Sequence, residues 1–220
     1  MSRYFAVLRH GERADNATTN RPQLVEGDPS LTELGLSQAD IAAQKIISEL
    51  PECSSYCILS SPFLRCIETA SKLAKRLGLP VIIEEGFSEL MNPRYFESDI
   101  LDRVVSNTQP ELIENEMGVK IVKGKFGLKP KFPESRAESI RRTIHAWETI
   151  FATYSEYQCI VIVTHLFVVN ELFKHWTKRA HTSDTGYCKF GLSEYRDNTY
   201  IPKIIPDSEY LDRRTDFRHK

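Results

Sequence analysis

Three short apolar runs, separated by stretches with helical spacing, constrain the fold more than any other feature of this chain. The runs are residues 4–8, 56–60 and 159–163. Strands this short and this apolar are buried on both faces in parallel sheets that are covered by helices. Amphipathic helical patterns lie between and after the runs, over residues 39–50, 62–77, 140–154 and 166–178. This alternation predicts an α/β fold: a three-layer α/β/α sandwich with a mostly parallel central sheet.

Capping residues indicate where several of these helices begin. Ser30 and Glu33 have the spacing of a capping box, and so have Ser135 and Glu138. Pro62 is suited to open a helix at its first position, where the missing N–H costs nothing. Helices are therefore expected to follow each of these residues.

Helical and strand periodicity is weak from residue 86 to about residue 133. Five prolines fall in and around this stretch, at positions 80, 93, 110, 130 and 133. We therefore predict a single domain over residues 1–220 with a cap inserted at about residues 86–133, carrying short helices, one of them around 97–105. A third strand at 81–83 precedes the cap, and β-like segments at 187–195 and 199–205 close the fold.

Composition excludes several classes of partner. The formal net charge of −1 over 220 residues gives no general attraction to nucleic acid or to an anionic membrane. No apolar stretch approaches the roughly 20 residues that a spanning helix needs. The five cysteines do not form pairs with zinc-site spacing, so no metal is expected. The expectation is a cytoplasmic protein with reduced thiols. A homodimer is allowed, since the sequence does not fix the oligomeric state.

Two arginines, Arg9 and Arg13, flank His10 where the first strand pattern ends. Packed guanidinium groups repel one another unless an anion is bound, and they favour the neutral form of an imidazole between them. A neutral imidazole beside a clamp for an anion is suited to nucleophilic attack on a phosphate. The run therefore predicts a phosphate site with His10 as its nucleophile.

Ionisable residues also follow the other two apolar runs. Arg65 lies one helical turn beyond the second run, and His165 directly ends the third. Taken alone, Arg65 would be a solvated helix charge and His165 a hydrogen-bonded core histidine. However, open α/β sheets bind ligands at the carboxyl ends of their strands, and all these residues fall at that edge. Together they predict an anion site.

The residues of this site occur in a known pattern. Residues 8–13, Leu-Arg-His-Gly-Glu-Arg, resemble the signature of the histidine phosphatase (phosphoglycerate-mutase-like) superfamily, branch 1. The resemblance extends over most of the chain outside the cap, through Pro29, Ser30, Leu31, Thr32, Gly35, Gln38, Ala39, Ser60, Ser61, Pro62, Arg65, Thr69, Ala70 and the second histidine, His165. The Arg-His-Gly-Glu-Arg form is most similar to the phosphatase domains of the suppressors of T-cell receptor signalling.

The resemblance implies a mechanism without a metal or other cofactor. His10 would form a covalent phosphohistidine, with Arg9, Arg65 and Arg13 holding the phosphoryl oxygens together with His165. The general acid of the family follows the third strand, where Glu89 fits best and Glu84 and Glu85 remain alternatives. Glu12 is a lesser candidate. Leu166 departs from the small residue that often follows the second histidine in the family.

The expected function is hydrolysis of a phosphomonoester, on a small molecule or a phosphoprotein. One alternative is phosphoglycerate mutase or sugar-bisphosphatase activity. Residues 89–95 match the corresponding mutase block poorly, and the presence of Arg13 favours a phosphatase. The other alternative is an inactive module that binds a phosphorylated ligand. Such drift usually removes the nucleophile or an arginine, and all of them are present here.

Overall fold

A seven-stranded mixed sheet forms the middle layer of the computed structural model, which describes residues 2–16, 24–126, 128–179 and 185–211. The strands are β1 (Arg3–Arg9), β2 (Tyr56–Ser60), β3 (Val81–Ile83), β4 (Ile121–Lys123), β5 (Cys159–Thr164), β6 (Phe190–Arg196) and β7 (Thr199–Asp207). Their order is β4-β3-β2-β5-β1-β6-β7. The first five are parallel, and β6 and β7 add an antiparallel end. The predicted fold class is confirmed.

Helices cover both faces of the sheet. They are α1 (Glu33–Glu49), α2 (Leu64–Leu77), α3 (Val105–Thr108), α4 (Pro110–Met117), α5 (Arg136–Thr153) and α6 (Leu166–Thr177). Alternate residues of β1 show why both faces are apolar. Ala6 and Leu8 pack on the side of α1 and α2, whereas Phe5 and Val7 pack on the side of α5 and α6. No helix in the described ranges is long and apolar enough to cross a membrane.

The stretch 86–133, expected to be a cap, is only partly separate from the sheet. Its residues Ile121–Lys123 form β4, which pairs in parallel with β3 and provides one edge of the sheet. The prediction of a short helix around 97–105 is wrong. The first helix of this segment, α3, begins only at Val105, and α4 follows at Pro110. The segment therefore extends the central layer as well as lying over it.

Two of the predicted helix starts need correction. Thr32, and not Ser30, caps α1, because its Oγ1 accepts from the Gly35 N–H at 2.8 Å. Helix α2 begins at Leu64, two residues after Pro62, with no side-chain cap from its own N-cap residue. The capping box of Ser135 and Glu138 at the start of α5 is confirmed.

A buried aspartate replaces the missing cap of α2. One carboxylate oxygen of Asp28 accepts from the Leu64 N–H at 2.7 Å, and the other accepts from the Val105 N–H at 3.1 Å. These are the first residues of α2 and α3, so one side chain joins two helix N-termini. Burial raises the pKa of Asp28 to about 6. The first turn of α2, which carries Arg65, is thereby held against α3.

Candidate active site

His10 follows the last residue of β1 and is 2% exposed. Its Nδ1 lies 2.8 Å from the carbonyl oxygen of Gly11. A carbonyl oxygen only accepts, so Nδ1 carries the proton and donates it. The lone pair of the neutral ring is consequently on Nε2, which is the nitrogen available to attack an electrophile.

The surroundings of His10 keep this imidazole neutral. Burial, followed by the positive charges of Arg65 and Arg9, holds the pKa of His10 well below its ordinary value. A protonated ring would be desolvated beside two cations, which is costly. The nucleophilic form expected from the sequence is therefore the form that the site favours when no anion is bound.

Close main-chain packing fixes the loop that follows His10. A Cβ on Gly11 would lie 2.5 Å from the carbonyl oxygen of Gly35, and one on Gly35 would lie 2.4 Å from that of Glu12. The Gly11 N–H donates to Thr69 Oγ1 at 3.1 Å, and the Glu12 carboxylate accepts from Thr32 Oγ1 at 2.7 Å. Glu12 therefore ties the loop to the start of α1.

His165 directly follows the last residue of β5 and is fully buried beside His10, with the two ring centroids 5.4 Å apart. Its Nε2 lies 2.8 Å from Ser61 Oγ, and its Nδ1 lies 3.2 Å from Nη2 of Arg65. Burial and the charge of Arg65 also lower the pKa of His165 well below its ordinary value. The structure thus brings both histidines and Arg65 together at one edge of the sheet.

Two arginines present buried N–H groups to this site. Arg65 is 1% exposed, and its guanidinium lies 4.5 Å from the ring centroid of Phe63. Arg9 lies 4.4 Å from the ring centroid of Tyr187 and donates to the Thr185 carbonyl. Nε and Nη1 of Arg65 and Nε of Arg9 have no acceptor among the described residues. Buried donors without an acceptor are costly, and a bound anion would satisfy them.

Arg13 is in the same region but is already paired. Its Nε donates to Oδ1 of Asp15 at 2.9 Å, and its Nη2 donates to the other carboxylate oxygen. Its positive charge still contributes to lowering the pKa of His10, Arg65 and His165. Arg13 is therefore close enough to act on the site, although its guanidinium faces Asp15 in this structure.

The three candidate acids after β3 lie in different places. Oε2 of Glu89 is 3.4 Å from Nδ1 of His165, and 20% of the Glu89 side chain is exposed. Glu84 is buried away from the histidines beside Tyr154 and Gly124, where burial raises its pKa to about 7. Glu85 lines a separate cavity with Ser106 and Lys123 among others. Of the three, only Glu89 is brought to the site.

The histidine phosphatase superfamily (branch 1) profile matches residues 5–190 of this chain. The chain belongs to that family. The site residues Arg9, His10, Arg13, Arg65, Glu89 and His165 all lie within the matched range. Among curated proteins, the chain is 28% identical over 175 residues to the transcription factor tau 55 kDa subunit of Saccharomyces cerevisiae, and the match covers 72% of this chain. It spans only 37% of the length of that relative.

Several solved structures share the fold of this chain. The ecdysone phosphate phosphatase of Bombix mori, in complex with tungstate, has a TM-score of 0.67 at 17% identity, covering 93% of this chain and 94% of that one. A mycobacterial glucosyl-3-phosphoglycerate phosphatase with inorganic phosphate has a TM-score of 0.62 at 19% identity, with coverages of 96% and 100%. A phosphoserine phosphatase mutant of Entamoeba histolytica with phosphoserine gives 0.61 at 18% identity, with coverages of 94% and 98%.

Tyr187 and Cys66 also contact the site. Tyr187 packs against Arg9 and lies 6.0 Å, centroid to centroid, from His10. It belongs to the loop before β6, where no sequence pattern pointed to the site. Cys66 is 3.6 Å from Nε2 of His165, and burial raises the pKa of its thiol to about 12, so it remains protonated. The described residues contain no cluster of three His, Cys, Asp or Glu suited to a metal.

Proposed function

We propose that this protein hydrolyses a phosphomonoester through a covalent phosphohistidine on His10, without a metal. The observation that carries the proposal is the pairing of two features. A buried neutral imidazole has its Nε2 lone pair free. Around it, buried guanidinium N–H groups of Arg9 and Arg65 lack an acceptor. A phosphoryl group would satisfy both at once, because its oxygens accept hydrogen bonds and its phosphorus is electrophilic.

In the first step, Nε2 of His10 attacks phosphorus in line with the ester oxygen. The N–P bond forms as the P–O ester bond breaks, and Glu89 donates its proton to the departing alkoxide. The Gly11 carbonyl accepts from Nδ1 and stabilises the positive charge that develops on the ring. Arg9, Arg65 and Arg13, once released from Asp15, would hold the three phosphoryl oxygens.

The second step reverses these roles. A water molecule transfers a proton to the Glu89 carboxylate as its oxygen attacks phosphorus. The N–P bond breaks, His10 becomes neutral again, and inorganic phosphate leaves. Glu89 ends protonated and ready for another cycle, so one carboxyl group serves both half-reactions.

The substrate class follows from the two halves of the site. The phosphoryl oxygens are bound by arginine, whereas the leaving group would extend past Glu89 toward the segment that follows β3. The similar structures include phosphatases of small phosphorylated molecules such as phosphoserine and glucosyl-3-phosphoglycerate. We therefore propose a phosphorylated small molecule or a phosphoprotein as the substrate.

The test compares the protein with His10→Ala, using p-nitrophenyl phosphate and a radiolabelled phosphate ester. The unaltered protein should release phosphate and carry a trapped phosphohistidine after brief exposure. His10→Ala should do neither, while His145→Ala, at an exposed position of α5, should do both. If the unaltered protein binds inorganic phosphate but turns over no faster than His10→Ala, it is a binding module and the catalytic proposal is wrong.

A further inference from the structure

Arg142 lies in the middle of α5 and donates hydrogen bonds to the main chain of the turn that carries Glu89. From these contacts we infer that Arg142, held by Glu134, is a positioning residue for Glu89. The inference rests on the proposed function, since it concerns the group that would protonate the leaving oxygen.

The contacts of Arg142 are directed at three carbonyls of one turn. Nη1 lies 2.7 Å from the oxygen of Gly86 and 3.3 Å from that of Ser88, and Nη2 lies 3.2 Å from that of Glu89. A guanidinium presents its donors in a fixed planar arrangement, so it fixes the relative positions of several acceptors. The backbone that carries Glu89 is therefore oriented from α5.

Glu134 fixes the guanidinium itself. Its two carboxylate oxygens accept from Nε and Nη2 of Arg142, each at 2.8 Å, and the two side chains are 7% and 3% exposed. The Glu134 N–H also donates to the carbonyl of Met91 at 2.7 Å. Arg142 and Glu134 thus hold the chain on both sides of Glu89. A buried ion pair of this kind contributes little net stability. The Arg142–Glu134 pair is therefore better explained by the geometry that it fixes in the turn than by a gain in stability.

The other end of the turn is fixed by the strand that carries the second histidine. Thr164, the last residue of β5, donates from Oγ1 to the carbonyl of Phe87 at 2.6 Å. His165 follows it directly, and its Nδ1 is 3.4 Å from Oε2 of Glu89. A Cβ on Gly86 would lie 2.4 Å from Cβ of Ala146, so the turn also packs tightly on α5. Arg142 and Thr164 therefore set the distance between Glu89 and the histidines.

A general acid needs this precision, because it must be within hydrogen-bond reach of the leaving oxygen. A displacement of about 1 Å can lower a rate about 100-fold. The Glu89 carboxyl group accepts one hydrogen bond from its own neighbour, the Leu90 N–H at 3.1 Å. Its position consequently depends on the turn beneath it, and the turn depends on Arg142.

The experiment uses Arg142→Met and Arg142→Lys, with Arg141→Met as the matched control on the exposed side of the same helix. Each is assayed on aryl phosphates from p-nitrophenyl to phenyl phosphate. For Arg142→Met we expect kcat/KM on phenyl phosphate to fall about 10- to 100-fold, and kcat/KM on p-nitrophenyl phosphate to fall less than about threefold, because kcat/KM reports the step in which the leaving group departs. Arg142→Lys should lie between, and Arg141→Met should match the unaltered protein on both substrates.

The double variant Glu89→Gln/Arg142→Met gives the decisive comparison. If Arg142 acts through Glu89, adding Arg142→Met to Glu89→Gln should reduce kcat/KM no further. Equal losses on both substrates, or losses that multiply in the double variant, would overturn the inference. Where Arg142→Met does not fold, Arg142→Lys and its double variant carry the same test, with inhibition by inorganic phosphate reporting an intact site. Absence of turnover by the unaltered protein would instead count against the proposed function.

Discussion

Nη2 of Arg65 lies 3.2 Å from Nδ1 of His165, and both side chains are buried. Since a guanidinium only donates, Nδ1 must accept, and the single proton of the neutral His165 ring is on Nε2, which donates to Ser61 Oγ at 2.8 Å. The tautomers of the two histidines are therefore opposite, because His10 carries its proton on Nδ1. Arg65 orients one histidine with one nitrogen and keeps two others free for an anion.

Replacing Arg65 by lysine should test this double role. An ammonium group keeps the charge but cannot bond to His165 and a phosphoryl oxygen in the same fixed geometry. We expect Arg65→Lys to lower kcat/KM by about 10²- to 10³-fold. Arg76→Lys is the control, since Arg76 is an exposed arginine of the same helix that pairs with Asp40. Steady-state kinetics on p-nitrophenyl phosphate measures both, and a change of less than about threefold in Arg65→Lys would contradict the assignment.

The buried imidazoles should make stability depend on pH. In the unfolded chain a histidine titrates near pH 6.5, whereas burial and nearby arginines lower the pKa of His10 and His165 well below that. The unfolded state therefore binds more protons below about pH 6.5, so these two residues reduce the free energy of unfolding as the pH falls. Histidine NMR should show both rings still neutral when the pH has fallen somewhat below 6.5. Protonation of either at its ordinary pKa would be the contrary result.

Glu89→Gln should separate the three candidate acids. A glutamine cannot donate the proton that a poor leaving group needs, so we expect kcat/KM, which reports the first half-reaction, to fall about 10²-fold or more on phenyl phosphate and much less on p-nitrophenyl phosphate. Glu85 lines a separate cavity with Ser106 and Lys123, so Glu85→Gln should leave kcat/KM on both substrates unchanged. Equal losses on the two substrates in Glu89→Gln would argue that Glu89 is not the acid.

The pair between Arg13 and Asp15 should oppose phosphate binding. Both side chains are about 30% exposed, and such a pair contributes about 0.2–1 kcal/mol. Asp15→Asn frees Arg13 and should lower KM by up to about fivefold, whereas Arg13→Ala should raise it. The double variant should behave as Arg13→Ala alone. If Asp15→Asn lowers KM equally in the absence of Arg13, the effect does not pass through the guanidinium.

Glu84 should make stability depend on pH in the direction opposite to that expected for His10 and His165. Its folded pKa of about 7 exceeds the ordinary value of 4.5, because the charged form is buried. Its contribution to stability is therefore complete below about pH 4.5 and is lost as the pH rises through about 7. Relative to the unaltered protein, Glu84→Gln should unfold at increasingly higher temperature as the pH is raised over this range. Thermal unfolding measures the difference, and Glu148→Gln on the exposed side of α5 should show no such trend.

The elements that could be predicted from sequence are those whose signal is local. The central strands β1, β2 and β5 are continuous apolar runs, and the residues that follow them meet because parallel strands end at one edge. Strand β4 was not predicted, because it has only three residues and its Val122 is exposed. Neither its length nor its apolar pattern indicates a strand. Its pairing with β3 is a tertiary event.

The contacts of Arg142 and Tyr187 could not be predicted for a related reason. In the sequence, Arg142 is a polar residue between apolar positions of an amphipathic helix, where arginines are usually solvated. Its acceptors are carbonyl oxygens more than 50 residues away along the chain. Every residue has a main-chain carbonyl, so the acceptors of Arg142 have no characteristic residue type and no sequence motif predicts the contact.

The mutual contact of Gly11 and Gly35 has a consequence for how this site can change over evolution. Because the loop after His10 rests on the first turn of α1 through backbone atoms, a side chain at either position has no space to occupy. The atoms that would clash with a new side chain are the main-chain carbonyl oxygens of Gly35 and Glu12, and no side-chain substitution removes a main-chain carbonyl. A screen for suppressors of Gly11→Ala or Gly35→Ala should therefore return true revertants and not second-site replacements. The position of His10 therefore depends on the absence of a side chain at both Gly11 and Gly35.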